Sequence, residues 1–172
     1  IRPVYTSTPP TIDGRLDDAV WSTASVVDDM HQILPTEYAV PTEPTAIYVL
    51  YDEDTLYVGA KLWDSEPEEI TARILRQGEL VGPDDAFGLL LSPFNDQRSG
   101  YLFAVNPNGV RVEGLYEDAS RLLMDWGGIW RAQSSIDDEG WVTEVAIPLK
   151  SLSFDPTSDE WGINFFRRIS RK

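Results

Sequence analysis

An all-β fold, a sandwich or barrel of short strands with little helix, is what this sequence predicts, and three observations predict it. Short runs rich in Val, Leu, Ile, Tyr and Phe recur along the chain, several with two-residue alternation. Turn-forming residues such as Asn108-Gly109 punctuate them at short intervals. Helical spacing of apolar residues is confined to Leu16–Trp21 and a weaker stretch over 67–75. Eight or more short strands so spaced describe a sandwich or barrel.

The elements follow in chain order. Leu16–Trp21 is a short amphipathic piece that ends on Trp21, a residue suited to plug a core. Residues 35–44 hold three prolines and read as one long loop. Runs 45–51 and 55–63 form a hairpin across Asp52-Glu53-Asp54. In its second arm Leu56, Val58, Ala60 and Leu62 share one face, and Tyr57, Gly59, Lys61 and Trp63 share the other. Further runs lie at 85–91, 101–105, 110–117, 129–136, 141–147 and 161–169. Asp84 and Asp85 mark the entrance to the first of these, which turns Phe87, Leu89 and Leu91 inward; loop 92–100 returns the chain to Tyr101–Val105. Asn106–Gly109 turns it again, and Asp137–Gly140 suits a four-residue loop. Trp130 shares a face with Ala132, Ser134 and Ile136, while Trp141 and Trp161 open apolar strands as packing residues. Glu144 alternates inside an apolar strand, which predicts a half-buried ion pair with Arg167 or Arg168 of the last strand.

Composition bounds the function. A length of 172 residues predicts a single domain over 1–172, and 42% hydrophobic with 11% aromatic content argues against disorder. With 29 acidic against 14 basic residues the net charge is −15, a surface that repels nucleic acid. There is no cysteine and no apolar run of membrane-spanning length. Catalysis finds no support. Neighbouring Asp84 and Asp85 should diverge on a strand, the single histidine, His31, sits in a loop, and neither a phosphate loop nor a His-Glu-x-x-His helix is present. The chain reads as a non-enzyme.

Five pieces then occur in a telling order: "PPTIDGRLDDAVWSTA", "VLYDEDTLYVGAKLWD", "DDAFGLLLSPFNDQRSGYLFAVNPNGV", "GWVTEVAIPLKSLSF" and "WGINFFRRISRK". Together, over about residues 9–172, they resemble the family 9 carbohydrate-binding module. The resemblance is nearer still to the family-9-like domain that opens large bacterial proteins with a predicted outer-membrane barrel. It implies an antiparallel β-sandwich of jelly-roll type with little helix, frequent bound calcium, no catalysis, and a secreted, periplasmic or cell-surface setting with a further C-terminal domain. It also implies a sugar site that clamps a ring between two tryptophans. On that pattern Gly82 stands where the first tryptophan falls, Gly88 where an acid falls and Ala104 where an arginine falls; Asn106 alone keeps a polar residue, and the second tryptophan is expected beyond Lys172.

Candidate ligand residues follow from both lines. Trp126, before Gly127-Gly128, and Trp63, opposite the inward face of its strand, are the candidate stacking platforms. Asn106 and Asn108 are candidates for hydroxyl recognition. Asp64 and Asp84, at strand ends, are the candidate calcium ligands, since calcium takes six to eight oxygens from curling loops. Two functions stay open: a non-catalytic module that binds a glycan or polysaccharide, and an accessory domain beside an outer-membrane barrel that keeps the sandwich without the sugar site.

Overall fold

The computed structural model describes residues 1–79, 81–118 and 120–172. Among these, the strands are β1 (Val4–Tyr5), β2 (Ser25–Val27), β3 (Thr45–Tyr51), β4 (Thr55–Trp63), β5 (Ala86–Ser92), β6 (Gly100–Val105), β7 (Arg111–Asp118), β8 (Arg121–Leu123), β9 (Arg131–Asp137), β10 (Gly140–Pro148) and β11 (Gly162–Arg168). The first sheet runs β1-β3-β4-β10-β9, with β2 also on β3; the second runs β11-β5-β6-β7-β8. Every pairing is antiparallel except β1, which lies parallel to β3 through two residues. Among the described residues helix is limited to 3₁₀ turns at Ala19–Thr23, Pro67–Glu69 and Leu149–Ser151. Of the sandwich and the barrel that the strand spacing allows, the two separate sheets make the sandwich, as the family resemblance implies. The three shortest strands, β1, β2 and β8, had no period long enough to read.

Two-residue periodicity builds the core. Leu56, Val58, Ala60 and Leu62 of β4 face Phe87, Leu89 and Leu91 of β5 and Tyr101, Phe103 and Val105 of β6 across the gap between the sheets. Each such buried side chain favours the fold by about 1.5–3 kcal/mol relative to exposure. Trp130 and Trp141 join this core and Trp161 packs at its margin, as expected; Ile136, by contrast, is largely exposed at the end of edge strand β9.

The outer face of the first sheet is covered by the segment between β1 and β2. Trp21 packs there with Leu50, Tyr57 and Ala146, and Leu16 lies so close over Gly59 that a Cβ at that position would meet its Cδ2 at 2.5 Å. What holds the segment down is Glu144, whose side chain points outward from β10 into this layer and is 0% exposed. Its Oε2 accepts the backbone N–H groups of Asp13 (2.9 Å), Gly14 (2.8 Å) and Arg15 (3.2 Å), and its Oε1 accepts Trp21 Nε1–H (2.9 Å). Gly14 makes the turn possible: its φ is +87°, and a Cβ would lie 3.0 Å from the backbone of Ser134. This corrects the expected ion pair of Glu144 with Arg167 or Arg168. Alternation fixes which way a side chain faces but not its sheet, and β10 and β11 belong to different sheets.

Candidate functional site

One end of the sandwich is sealed by polar groups that bind one another. Asp84, fully buried, accepts the N–H groups of Arg73 (3.0 Å) and Ile74 (2.9 Å) and an N–H of the Asn106 amide (2.9 Å). Asn106 is fully buried as well. Its amide also donates to Ile74 O, and its Oδ1 accepts Asn108 N–H and Val110 N–H. These bonds pin the 71–74 segment and the β6–β7 turn to each other. Asn106 is thereby corrected from a ligand contact to a structural clasp: no surface of it is left to a ligand. Asn108 is exposed, with its amide donating to Ala72 O and Ile74 O.

Asp64 sits at the same end in a different company. Arg171 grips it through two bonds of 2.8 and 2.5 Å, and the Glu66 N–H adds a third at 2.8 Å. Burial works against its charge, yet the Arg171 fork holds the carboxyl below the usual carboxylate range. Arg167, deeply buried, donates to Pro44 O, Thr45 Oγ1 and Trp63 O; desolvation lowers it to about 10. Asp85 turns the other way from Asp84, accepts Ser170 N–H (2.8 Å), and is pushed up by burial. Asp64 and Asp84 are not brought together. The oxygens of one lie in a guanidinium fork and those of the other on amide N–H groups, so these two residues do not fit calcium. Among the described residues no three carboxylate or histidine side chains converge as a metal set.

The two candidate tryptophans lie on different layers. Trp63 is half-buried on the outward side of β4, paired with Gly140 and next to Lys61, which ion-pairs with Asp137 at 2.7 Å. Trp126 is half-buried on the inward side of the second sheet, tilted against Tyr101 (ring centroids 4.8 Å apart) and edge-on to Phe103 (6.0 Å). Gly128 passes close over it, since a Cβ there would reach the Trp126 ring at 2.7 Å. Its ring closes the margin of the main core.

Part of the outer face of the second sheet is left uncovered among the described residues. Across it runs a row of side chains from adjacent strands: Asn164 of β11, Leu90 of β5, Leu102 of β6 and Gly114 of β7. Leu90 and Leu102 are half-exposed and Asn164 is exposed. Phe166 and Tyr116, both half-buried, stand in the rows on either side. Met124, 40% exposed, and Leu122 close the far end by packing over Gly114. The result is a shallow apolar trough with rings at its sides and an amide at one end, a surface suited to the C–H face of a ring whose hydroxyls bond at the edges. Next to it the sheet is filled: Val81, Ala86, Ala104, Val110 and Val112 form a small apolar cluster with Ile74 and Phe166. Phe166 lies directly on Gly88, where a Cβ would come within 2.4 Å of its Cζ. No side chain can stand at that position while the phenyl ring does. Alternation in "GINFFRR" marks Asn164 and Phe166 as sharing a face, but nothing in the sequence says that this face is the bare one.

The family described as carbohydrate family 9 binding domain-like matches residues 12–167. No curated protein matches the chain. Among solved structures, a family 9 carbohydrate binding module from Caldicellulosiruptor kristjanssonii in complex with glucose is 20% identical, with 94% of this chain aligned to 75% of that one at a TM-score of 0.62. A family 9 module from the same organism in complex with cellotriose is 19% identical, over 94% and 74% of the two chains, at 0.61. A Bacteroides uniformis protein to which carbohydrate binding is ascribed is 16% identical, over 98% and 82%, at 0.69. At these identities the likeness is one of fold.

Proposed function

The chain belongs to the carbohydrate family 9 binding domain-like family, and from that membership we propose that it is a non-catalytic carbohydrate-binding module. The observation that carries the reading is the extent of the match, which runs from the segment latched by Glu144 to the end of β11. Solved modules of the same fold in complex with glucose and cellotriose support it. In this reading the open face of the second sheet is the binding face. Phe166 and Tyr116 flank the ring of a glycan, Leu90 and Leu102 meet its C–H face, and Asn164 bonds a hydroxyl. A shallow face that buries few atoms gives modest affinity, roughly micromolar to millimolar. The module serves a larger secreted, periplasmic or surface protein beside an outer-membrane barrel; the order of its motifs and its acidic, cysteine-free composition support that setting.

A second reading is favoured by one observation. The positions at which the resemblance expects a sugar-binding acid and arginine, Gly88 and Ala104, lie in the apolar layer with Phe166, Val81 and Val112. That is what an accessory domain without a sugar site would retain. A glycan array separates the two. Selective signal from a few related glycans supports the binding module, and a blank array, with the chain shown folded by its near-ultraviolet spectrum, supports the accessory domain.

A further inference from the structure

The two ends of the sandwich differ. At the end sealed by Asp64, Asp84 and Asn106, the oxygens of Asp64 and Asp84 are matched by amides and a guanidinium group, while the neighbouring Asp85 keeps one oxygen on Ser170 N–H and the other without a partner among the described residues. At the other end, where β3, β5 and β10 finish and β4 and β11 begin, the sheets part around a cleft of about 980 Å³. Its apolar wall includes Val49 and Leu91, both members of the main core, and Trp161 stands at its side, half-buried and tilted against Phe154 at 5.3 Å. Polar side chains complete it: Asp159 and Glu160, which precede Trp161 in the chain; Asn95, whose φ is +50°; and Arg2.

None of those four polar side chains makes an ion pair or side-chain hydrogen bond to another of the described residues. The contrast with Lys61, Arg171 and Lys172, each gripping an acid, is direct. The volume lies at the upper end of the roughly 300–1,000 Å³ usual for ligand pockets. An indole beside an apolar wall, two unspent carboxylates, a carboxamide and a guanidinium offer a ring face together with acceptors and donors for hydroxyls. Two carboxylates against one guanidinium leave the group a net charge of −1, which disfavours an anion and leaves a neutral polyol as the fitting ligand.

We propose that this cleft is a second saccharide site, in which a sugar ring lies against Trp161 while Asp159, Glu160 and Asn95 bond its hydroxyls. It rests on the carbohydrate reading above but uses a different surface, at the end of the sandwich and not on the open face of the second sheet. Hydrogen bonds to charged groups contribute enough that losing them weakens binding about tenfold or more.

The six tryptophans give six indole N–H signals in a nitrogen-15 spectrum, so each region reports for itself. The uniformly labelled chain is titrated with cellotriose, xylotriose, mannotriose and maltotriose, and separately with spermidine. The expected result is movement of the Trp161 indole signal with at least one trisaccharide. The fitted affinity should fall about tenfold in Asp159→Asn/Glu160→Gln and clearly in Asn95→Gly. The last substitution removes the amide at a positive φ that glycine adopts without strain, so folding is spared. Backbone signals of Leu102 and Asn164 that move while Trp161 stays fixed overturn the cleft and leave the carbohydrate reading standing. A response to spermidine but to no sugar overturns the saccharide assignment in favour of a cation site. No movement anywhere with any of the four sugars overturns both readings together.

Discussion

Replacing Glu144 by Gln tests the latch that closes the first sheet. Four N–H donors converge on this buried carboxylate at 2.8–3.2 Å. Gln has one acceptor oxygen. If that oxygen keeps the amides of Asp13, Gly14 and Arg15, its NH₂ must face Trp21 Nε1–H, donor against donor. One bond to a charged group is lost, the other three lose their charge, and a buried donor is left unpaired; such losses run to roughly 1–3 kcal/mol each. Removing the cost of burying a charge offsets part of this, leaving a net loss of about 2 kcal/mol. For a chain of this size that lowers Tm by about 4–8 °C. Thermal denaturation followed by circular dichroism reads the shift, and amide exchange at Asp13–Arg15 should quicken up to about thirtyfold if the segment opens locally. A Tm within 1 °C of the parent, with exchange unchanged, would refute the assignment of Glu144 as the latch.

Three other outcomes are expected. Burial holds the Asp85 carboxyl above its ordinary value, so the folded chain takes up this proton first; its stabilisation is complete below the ordinary value and lost as pH rises through the raised one. Asp64 and Glu43, although partly desolvated, are held low by Arg171 and Lys172, and their contribution is lost as pH falls below the ordinary range. Tm should therefore peak at mildly acidic pH, and a steady fall from about pH 8 to about pH 4.5 would contradict the assignment. EDTA should leave the melting curve unchanged, because the oxygens of Asp64 and Asp84 are held by protein donors; a drop reversed by added calcium would reveal a site built from other oxygens. Trp126→Ala should lower stability in urea by about 2 kcal/mol, roughly half the loss of a fully buried aromatic, and leave glycan affinity intact. A variant that kept its stability and lost binding would restore Trp126 as a platform.

The strands and their inward residues were legible because a two-residue period survives wherever one face meets a core, as in Leu56–Leu62 and Phe87–Leu91. Pairing across layers was not. An acid inside an apolar strand points to the arginines that β11 offers, while the true partners of Glu144 are the Trp21 indole and backbone amides about 130 residues away, which carry no side-chain signal. Asn106 read as an exposed turn residue because Asn-Pro-Asn-Gly is a turn motif; the turn exists, but the 71–74 segment folds over it and takes the amide inward. The Gly127-Gly128 pair carries a packing role that the sequence does not show, since Gly128 lets the chain pass close over Trp126. The open face left no mark at all, because bareness depends on where other segments do not go.

The central claim, that the bare face of the second sheet binds carbohydrate, meets its most direct test in affinity electrophoresis through gels containing soluble polysaccharides. The parent chain is run beside Asn164→Ala and Tyr116→Ala, both on that face. Retardation of the parent by at least one polysaccharide, reduced severalfold in both variants while their melting temperatures stay close to the parent's, is the predicted result. Retardation that both variants retain in full would contradict it.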